Sequence, residues 1–314
     1  MKESFKAQLA TNAWTRRRVL GAAGAGALAW ALPAQVFGAE RPRGRRIPIA
    51  VQLYSVREDV GKDMDTVLEK VAKMGFEGVE FYGNSYFKYN GKAKDLRKRL
   101  DDLKLKSEGI HVNMAALRGD GLKQSIETSK VLGTRFLIVA GDGDFTDPEK
   151  SKALAETFNK AAEILKPTGL ACGYHNHTGE FKKDGDKTYW DLFAERTSKD
   201  VMLQLDVGHA TTAGLDPLEL IKKHPGRTGT AHFAPKIKKD ETGKKAIIGQ
   251  DSIDWKGCIS ACRQVGGTEW YVLEQESYPD GKSAMECTEM SLAGLKKIMD
   301  EMRQAWAASR PQRS

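Results

Sequence analysis

The chain has 314 residues, 40% of them apolar, enough to bury a substantial core in either two ordinary domains or one large α/β barrel. Its formal net charge is +8, but residues 1–38 carry +4 and residues 39–46 carry +3, so the body from Ile47 onward is about neutral, at +1. A basic balance confined to a leader and a linker gives no support to a nucleic-acid-binding surface.

The N-terminal stretch "TRRRVLGAAGAGALAWALPAQVFGAE" pairs Arg16-Arg17-Arg18 with an Ala/Gly/Leu run too short and too small-residued for a comfortable membrane span. Thr15-Arg-Arg-Arg-Val-Leu20 resembles a twin-arginine export signal. The resemblance implies a signal peptide over 1–38, a basic linker over 39–46, export of the folded chain to the periplasm, and no stable membrane association once the signal is removed. Of the four cysteines, Cys258 and Cys262 fall four apart on a helical run and Cys172 inside a strand-like run, a poor arrangement for bridging one another, so they read as small core residues.

From Ile47 short β-type runs alternate with amphipathic helical runs. "IPIAVQLYS" (47–55) and "GVEFYG" (78–83) are separated by "MDTVLEKVAKMG", whose Val67, Val71 and Met74 have helical spacing and whose Gly75 is a stop. "SEGIHVN" (107–113), "RFLIVAG" (135–141) and "LACGYHNH" (170–177) follow, with the helical "SKALAETFNKAAEILKPTG" between the last two. "VMLQLDVGH" (201–209), "GTAHFA" (229–234) and "EWYVLEQES" (269–277) complete eight strand candidates, and "SLAGLKKIMDEM" supplies the final helix. Eight β-then-α units predict a single (β/α)₈ barrel over 47–303 with a tail at 304–314. A doubly wound open sheet is the weaker alternative, since no Gly-x-Gly-x-x-Gly follows the first strand. Two long segments, 84–92 and 237–252, are expected at the carboxyl ends of the strands as walls or lid.

The site of such a barrel is built from the carboxyl ends of its strands. There the sequence places Glu80 on the second strand, His111 on the third, His175 and His177 on the fifth, Asp206 and His209 on the sixth, His232 on the seventh, and Glu274 and Glu276 on the eighth. Only His224 of the six histidines lies elsewhere, at a helix end. One strand-end histidine is ordinarily a hydrogen-bonded structural residue, but five together would crowd desolvated polar groups without a shared purpose. One divalent metal supplies that purpose, and mixed imidazole and carboxylate donors suit Mn²⁺, Co²⁺, Zn²⁺ or Fe²⁺ better than Mg²⁺ or Ca²⁺.

The body from about Ile47 to Met302 resembles the xylose isomerase-like barrel superfamily of sugar isomerases and epimerases, which also contains dehydratases and endonuclease IV. The resemblance rests on "LDVGHA" (205–210), matching D-x-x-H; on His232; on "GQDSIDW" (249–255), similar to G-x-G-x-x-D-W; and on "YVLEQE" (271–276). It implies that Asp206, His232 and Glu274 are three ligands of one metal, and that His175, standing where many relatives have a glutamate, takes over the role of fourth ligand. His177 is expected on the same face of its strand as His175, because strand side chains alternate. Glu274 or His177 would then be the base, with His209 or His175 as acid on the other face. Gln52, Glu80, His111, Lys236 and Glu276 are expected to contact the substrate, although "HFAPK" departs from the H-x-K-D pattern usual around the seventh-strand histidine.

The activity so implied is a divalent-metal-dependent isomerase or epimerase of a sugar or keto-sugar, working by enediolate-type proton transfer. The runner-up is a lyase or dehydratase, toward which the histidine-rich fifth strand moves weight. An endonuclease IV-like nuclease is a further alternative, opposed by the neutral body and by the lack of an Asp-x-His pair after the seventh strand. A non-catalytic carbohydrate-binding barrel is another. The partner expected is a small carbohydrate and not a nucleic acid, with homo-oligomer formation left open.

Overall fold

The structure, a computed structural model, describes residues 46–309 except 84 and 86–92. The proposed signal and most of the linker, the 84–92 loop apart from Ser85, and residues 310–314 lie outside the described residues. Among the described residues, eight parallel strands close into a barrel: β1 (Ile49–Gln52), β2 (Gly78–Phe81), β3 (Lys106–Val112), β4 (Phe136–Val139), β5 (Ala171–His175), β6 (Met202–Asp206), β7 (Thr230–Phe233) and β8 (Trp270–Leu273). Each strand pairs with its sequence neighbour, and β1 closes on β8 through Ile49 opposite Tyr271 and Ala50 opposite Val272. The expected (β/α)₈ barrel is therefore the fold.

The strands are buried on both faces because helices cover the outside of the barrel. The principal helices are α1 (Met64–Met74), α2 (Ala93–Asp102), α3 (Gly119–Leu132), α4 (Lys150–Leu165), α5 (Tyr189–Arg196), α6 (Pro217–Lys223), α7 (Trp255–Ala261) and α8 (Ala284–Ala308). In α1 the Asp63 side chain caps the start by accepting from the Thr66 amide at 3.1 Å, Val67, Leu68 and Val71 face the sheet, and Gly75 ends the helix at φ 89°. The last helix runs to Ala308, five residues beyond the expected barrel limit; from Arg303 it is exposed and continues as a run of good helix formers without tertiary burial. All four cysteines are buried and free.

Two differences in the strands bear on the site. The sixth strand, expected to reach His209, stops at Asp206, where the chain turns into a short helix over Val207–Thr212 capped by the Asp206 side chain. The fifth strand stops at His175, so His177 lies on the following loop and not on the strand face. The sixth reads as extended in sequence because its apolar run continues past the turn at Val207, whereas the Asp206 cap fixes the true end.

The barrel interior is layered. Phe136, Ile138, Ala171 and Met202, with Trp270 against them, form an apolar plug toward the amino ends of the strands. Alternation along β6 then raises Met202, Gln204 and Asp206 on one face, out of the plug, through a buried polar layer, and into the site. A bulge between Val79 and Glu80 sets Glu80 opposite Gly109. A Cβ at Gly109 would sit 2.8 Å from Glu80 Oε1, so glycine there is what lets the Glu80 carboxylate lie across the barrel.

Candidate metal centre and active site

His175, Asp206, His232 and Glu274 project from β5, β6, β7 and the end of β8, all four are buried, and their ligand atoms lie within 4.8 Å of one another. Asp206 divides its two oxygens between two tasks. Oδ1 accepts from the His209 amide at 2.6 Å, capping the short helix, while Oδ2 is buried with no hydrogen-bond partner and lies 3.9 Å from His232 Nδ1. Burial, then the negative charge of Glu274, pushes the Asp206 carboxyl up to about 7. A buried carboxylate oxygen without a hydrogen-bond donor, beside a second carboxylate and 3.9 Å from the His232 ring nitrogen, is a group that a divalent cation would satisfy. The donor set, two imidazoles and two carboxylates, fits the transition-metal class anticipated.

The layer beneath holds these groups in place. Gln204, absent from the sequence-derived site, is fully buried and bonded on every side: its Oε1 is 3.0 Å from both His111 Nε2 and His175 Nδ1, and its Nε2 donates to Glu80 Oε1 at 2.8 Å and to Thr230 Oγ1 at 2.7 Å. An amide oxygen only accepts, so His175 carries its proton on Nδ1 and Nε2 is left as the ligand atom. Its one sequence signal is its position two before Asp206 on the same strand face, which by itself reads as strand interior. Asn176, also unanticipated, ties β5 to β6 by accepting from the Asp206 amide at 2.9 Å.

Gln52 and Glu80 are in this lower layer too, with no exposed surface, so the structure places them under the metal-binding groups and not at the mouth. Gln52 donates to Glu80 Oε2 at 2.8 Å, and that same oxygen is 2.9 Å from His111 Nε2 and 2.5 Å from His232 Nε2. Burial alone would raise the Glu80 carboxyl, but His111 and His232 more than offset this and hold it well below the ordinary range. Burial likewise opposes the charge on His232, yet Glu80 on one nitrogen and Glu274 on the other, at 2.8 Å, hold that imidazole well above its usual value. Glu274 is correspondingly held low by His232 against the effect of burial. His175, desolvated and crowded by His232, His111 and His177, is held well below the usual value, toward the neutral form a ligand needs, whereas His232 would have to give up the proton it shares with Glu274 to take a cation.

The mouth is built differently. The His177 ring lies 5.1 Å from that of His175 and 4.8 Å from that of His209. His177 is anchored through its backbone, whose amide donates to Glu180 Oε2 at 2.9 Å. Both mouth imidazoles are held below their ordinary value, first by desolvation, then for His177 by neighbouring His209 and for His209 by Lys236 against the opposing Glu276. Lys236 Nζ is 3.4 Å from Glu276 Oε2, which is 3.8 Å from His209 Nε2, so these three residues form one side of the opening. His224 is remote from the site and pairs with Asp191 at 3.3 Å.

A closed parallel barrel carrying, at its carboxyl end, a buried His/Asp/His/Glu cluster that could hold a metal ion defines a class of (β/α)₈ proteins. Within that class, the family described as xylose isomerase-like TIM barrel matches residues 68–298, and the chain belongs to it. An inosose dehydratase of Clostridium perfringens is 25% identical over 199 residues, which cover 56% of this chain and 65% of that protein, so the match spans somewhat less than two thirds of the relative. In fold, a sugar phosphate isomerase/epimerase from Parabacteroides distasonis aligns with a TM-score of 0.66 at 24% identity, covering 81% of this chain and 97% of the other. The IOLI protein with a binding zinc atom aligns with a TM-score of 0.62 at 15% identity, over 81% and 99%.

Proposed function

We propose that the protein is a divalent-metal-dependent enzyme that removes a proton from carbon beside the carbonyl of a keto-sugar or related keto-polyol, with elimination of a neighbouring substituent as the outcome. The observation that carries this is the pair of neutral imidazoles, His177 and His209, with ring centroids 4.8 Å apart above the buried cluster. A cation held by His175, Asp206, His232 and Glu274 would supply positive charge against which oxygens of the substrate become negative. His177 takes the proton from carbon and, as the imidazolium so formed, returns it to the departing oxygen, directly or through the adjacent His209, which faces Glu276. Two proton-handling groups next to each other suit a carbon and its adjacent substituent on one side of the substrate. The sequence likeness to inosose dehydratases agrees with that outcome.

Isomerisation or epimerisation is the second reading, favoured by Glu274, a carboxylate belonging to the cluster that offers a base separate from the two mouth histidines, and by the fold likeness to an isomerase/epimerase. The shared proton transfer is tested in D₂O with metal-loaded protein and a panel of keto-sugars and 3-keto-glycosides. Deuterium entering at the carbon beside the carbonyl is expected, with His177→Ala lowering turnover about 10²–10⁴-fold while metal content stays unchanged. Loss of the metal in His177→Ala, with its retention in His175→Ala, would reverse the assignment of the two histidines. The same reading takes the protein to act after export through Arg16-Arg17-Arg18; unchanged export when all three are replaced by lysine would remove that part.

A further inference from the structure

A groove leads outward from the metal centre over the ends of β3 and β4. It opens at His111, which is otherwise buried, and runs past Asn113 and Ala116 to the face of α3 that carries Gln124, Ser125 and Thr128, enclosing about 460 Å³. That volume is in the range of small-molecule sites, and none of His175, Asp206, His232 and Glu274 lines it. Its space comes from small residues: Gly121 packs so closely that a Cβ would meet the Ala115 carbonyl oxygen at 2.2 Å, and glycine and alanine recur along the walls.

The chemistry of the lining is specific in one respect. Among the described residues that line it there is no lysine, arginine, aspartate or glutamate. Amides and hydroxyls alternate with methyl groups, the surface that hydroxyl groups and C–H faces of a sugar require. The amino end of α3 approaches the groove at Gly121, where the Asp120 carboxylate is exposed and paired with Lys123 at 2.9 Å, and the Ser125 hydroxyl is committed to the carbonyls of Ala116 at 3.0 Å and Gly121 at 2.9 Å. A phosphate would find amide and hydroxyl donors but, among the described lining residues, no cationic side chain to balance its charge.

We infer that this groove is a subsite for an uncharged glycosyl or comparable polyhydroxylated substituent, so that the substrate is a keto-glycoside larger than one sugar ring and carries no phosphate. The inference rests on the reading of the site as one that acts on keto-sugars, and binding separates the two. Calorimetric titration of the metal-loaded protein with unreactive trehalose, glucose and glucose 6-phosphate is expected to give roughly tenfold tighter binding of the disaccharide than of either monosaccharide, the size of effect that one or two added hydrogen bonds produce. Thr128→Trp, and independently Ala116→Phe, should erase that preference and raise KM for 3-ketotrehalose while leaving turnover of 3-ketoglucose and the metal content unchanged. The second variant covers the case in which the first fails to fold. Equal binding of mono- and disaccharide, tighter binding of the phosphate, or a preference that survives both variants would overturn the subsite. A disaccharide preference that the variants erase, with no turnover of any keto-sugar by the wild type, would support the subsite and overturn the catalytic reading.

Discussion

The floor of the site and its mouth use the same residue types to opposite ends. In the floor, Glu80, Gln204 and His232 have no exposed surface and are bonded to one another or to neighbouring strands, so each side chain has a single orientation and a fixed protonation state. At the mouth, Lys236 and Glu276 keep substantial exposure and meet at 3.4 Å, and His177 is held mainly through its backbone. Burial makes charge expensive and geometry exact, whereas access to water and substrate leaves a group free to exchange protons. The difference teaches that histidines one or two residues apart in this sequence, such as His175 and His177, are assigned to different work by the layer in which they end.

The largest expected effect comes from breaking the floor where it would meet the proposed metal. Asp206→Asn keeps the helix cap, since an asparagine oxygen can still accept from the His209 amide, but removes the anionic oxygen that has no other partner. Metal content measured by mass spectrometry after dialysis should fall to background, and activity with it, a loss exceeding the roughly 100-fold that removal of a supporting group can cause. Full metal occupancy in that variant would sink the four-residue ligand set.

A smaller effect is expected one layer down. Gln204→Leu fills the space but leaves His111 and His175 without their shared acceptor and Glu80 Oε1 without a donor. Metal affinity should weaken by about 10–100-fold, the range for groups that orient a ligand from behind. The visible spectrum of the cobalt-loaded protein should also change, because the His175 ring is no longer held in one tautomer and direction. An unchanged spectrum together with unchanged affinity would reduce Gln204 to packing.

The legibility of this molecule in its sequence follows the same division between layers. Eight strand runs and the strand-end positions of His111, His175, Asp206, His232 and Glu274 could be read directly, because strands buried on both faces are continuous apolar runs and a polar residue ending one stands out. The end of β6 could not: in "LDVGH" the apolar pattern continues, and only the Asp206 side chain turning back on the His209 amide ends the strand. Gln204 was hidden for a related reason, since a glutamine between two leucines reads as a strand interior until the bulge at Glu80 brings that carboxylate across the barrel to meet it. The groove over β3 and β4 has no linear signature at all, being made where the loop after β3 faces α3.

The smallest effect is expected at the rim, and it sharpens the contrast most. Lys236 and Glu276 form a partly exposed ion pair, a kind of contact worth only about 0–1 kcal/mol to stability, because solvent screens it and two long side chains must be held in place to make it. Lys236→Met retains most of the side-chain length and removes the charge, so thermal stability and metal content should match the wild type within error. What should move is KM, by a few-fold upward, through loss of a cationic donor at the opening, with a smaller change in kcat through the altered charge around Glu276 and His209. A drop in melting temperature or metal content as large as that of Gln204→Leu would show that Lys236 belongs with the floor, and the boundary drawn between the two layers would then lie above the cluster and not within the mouth.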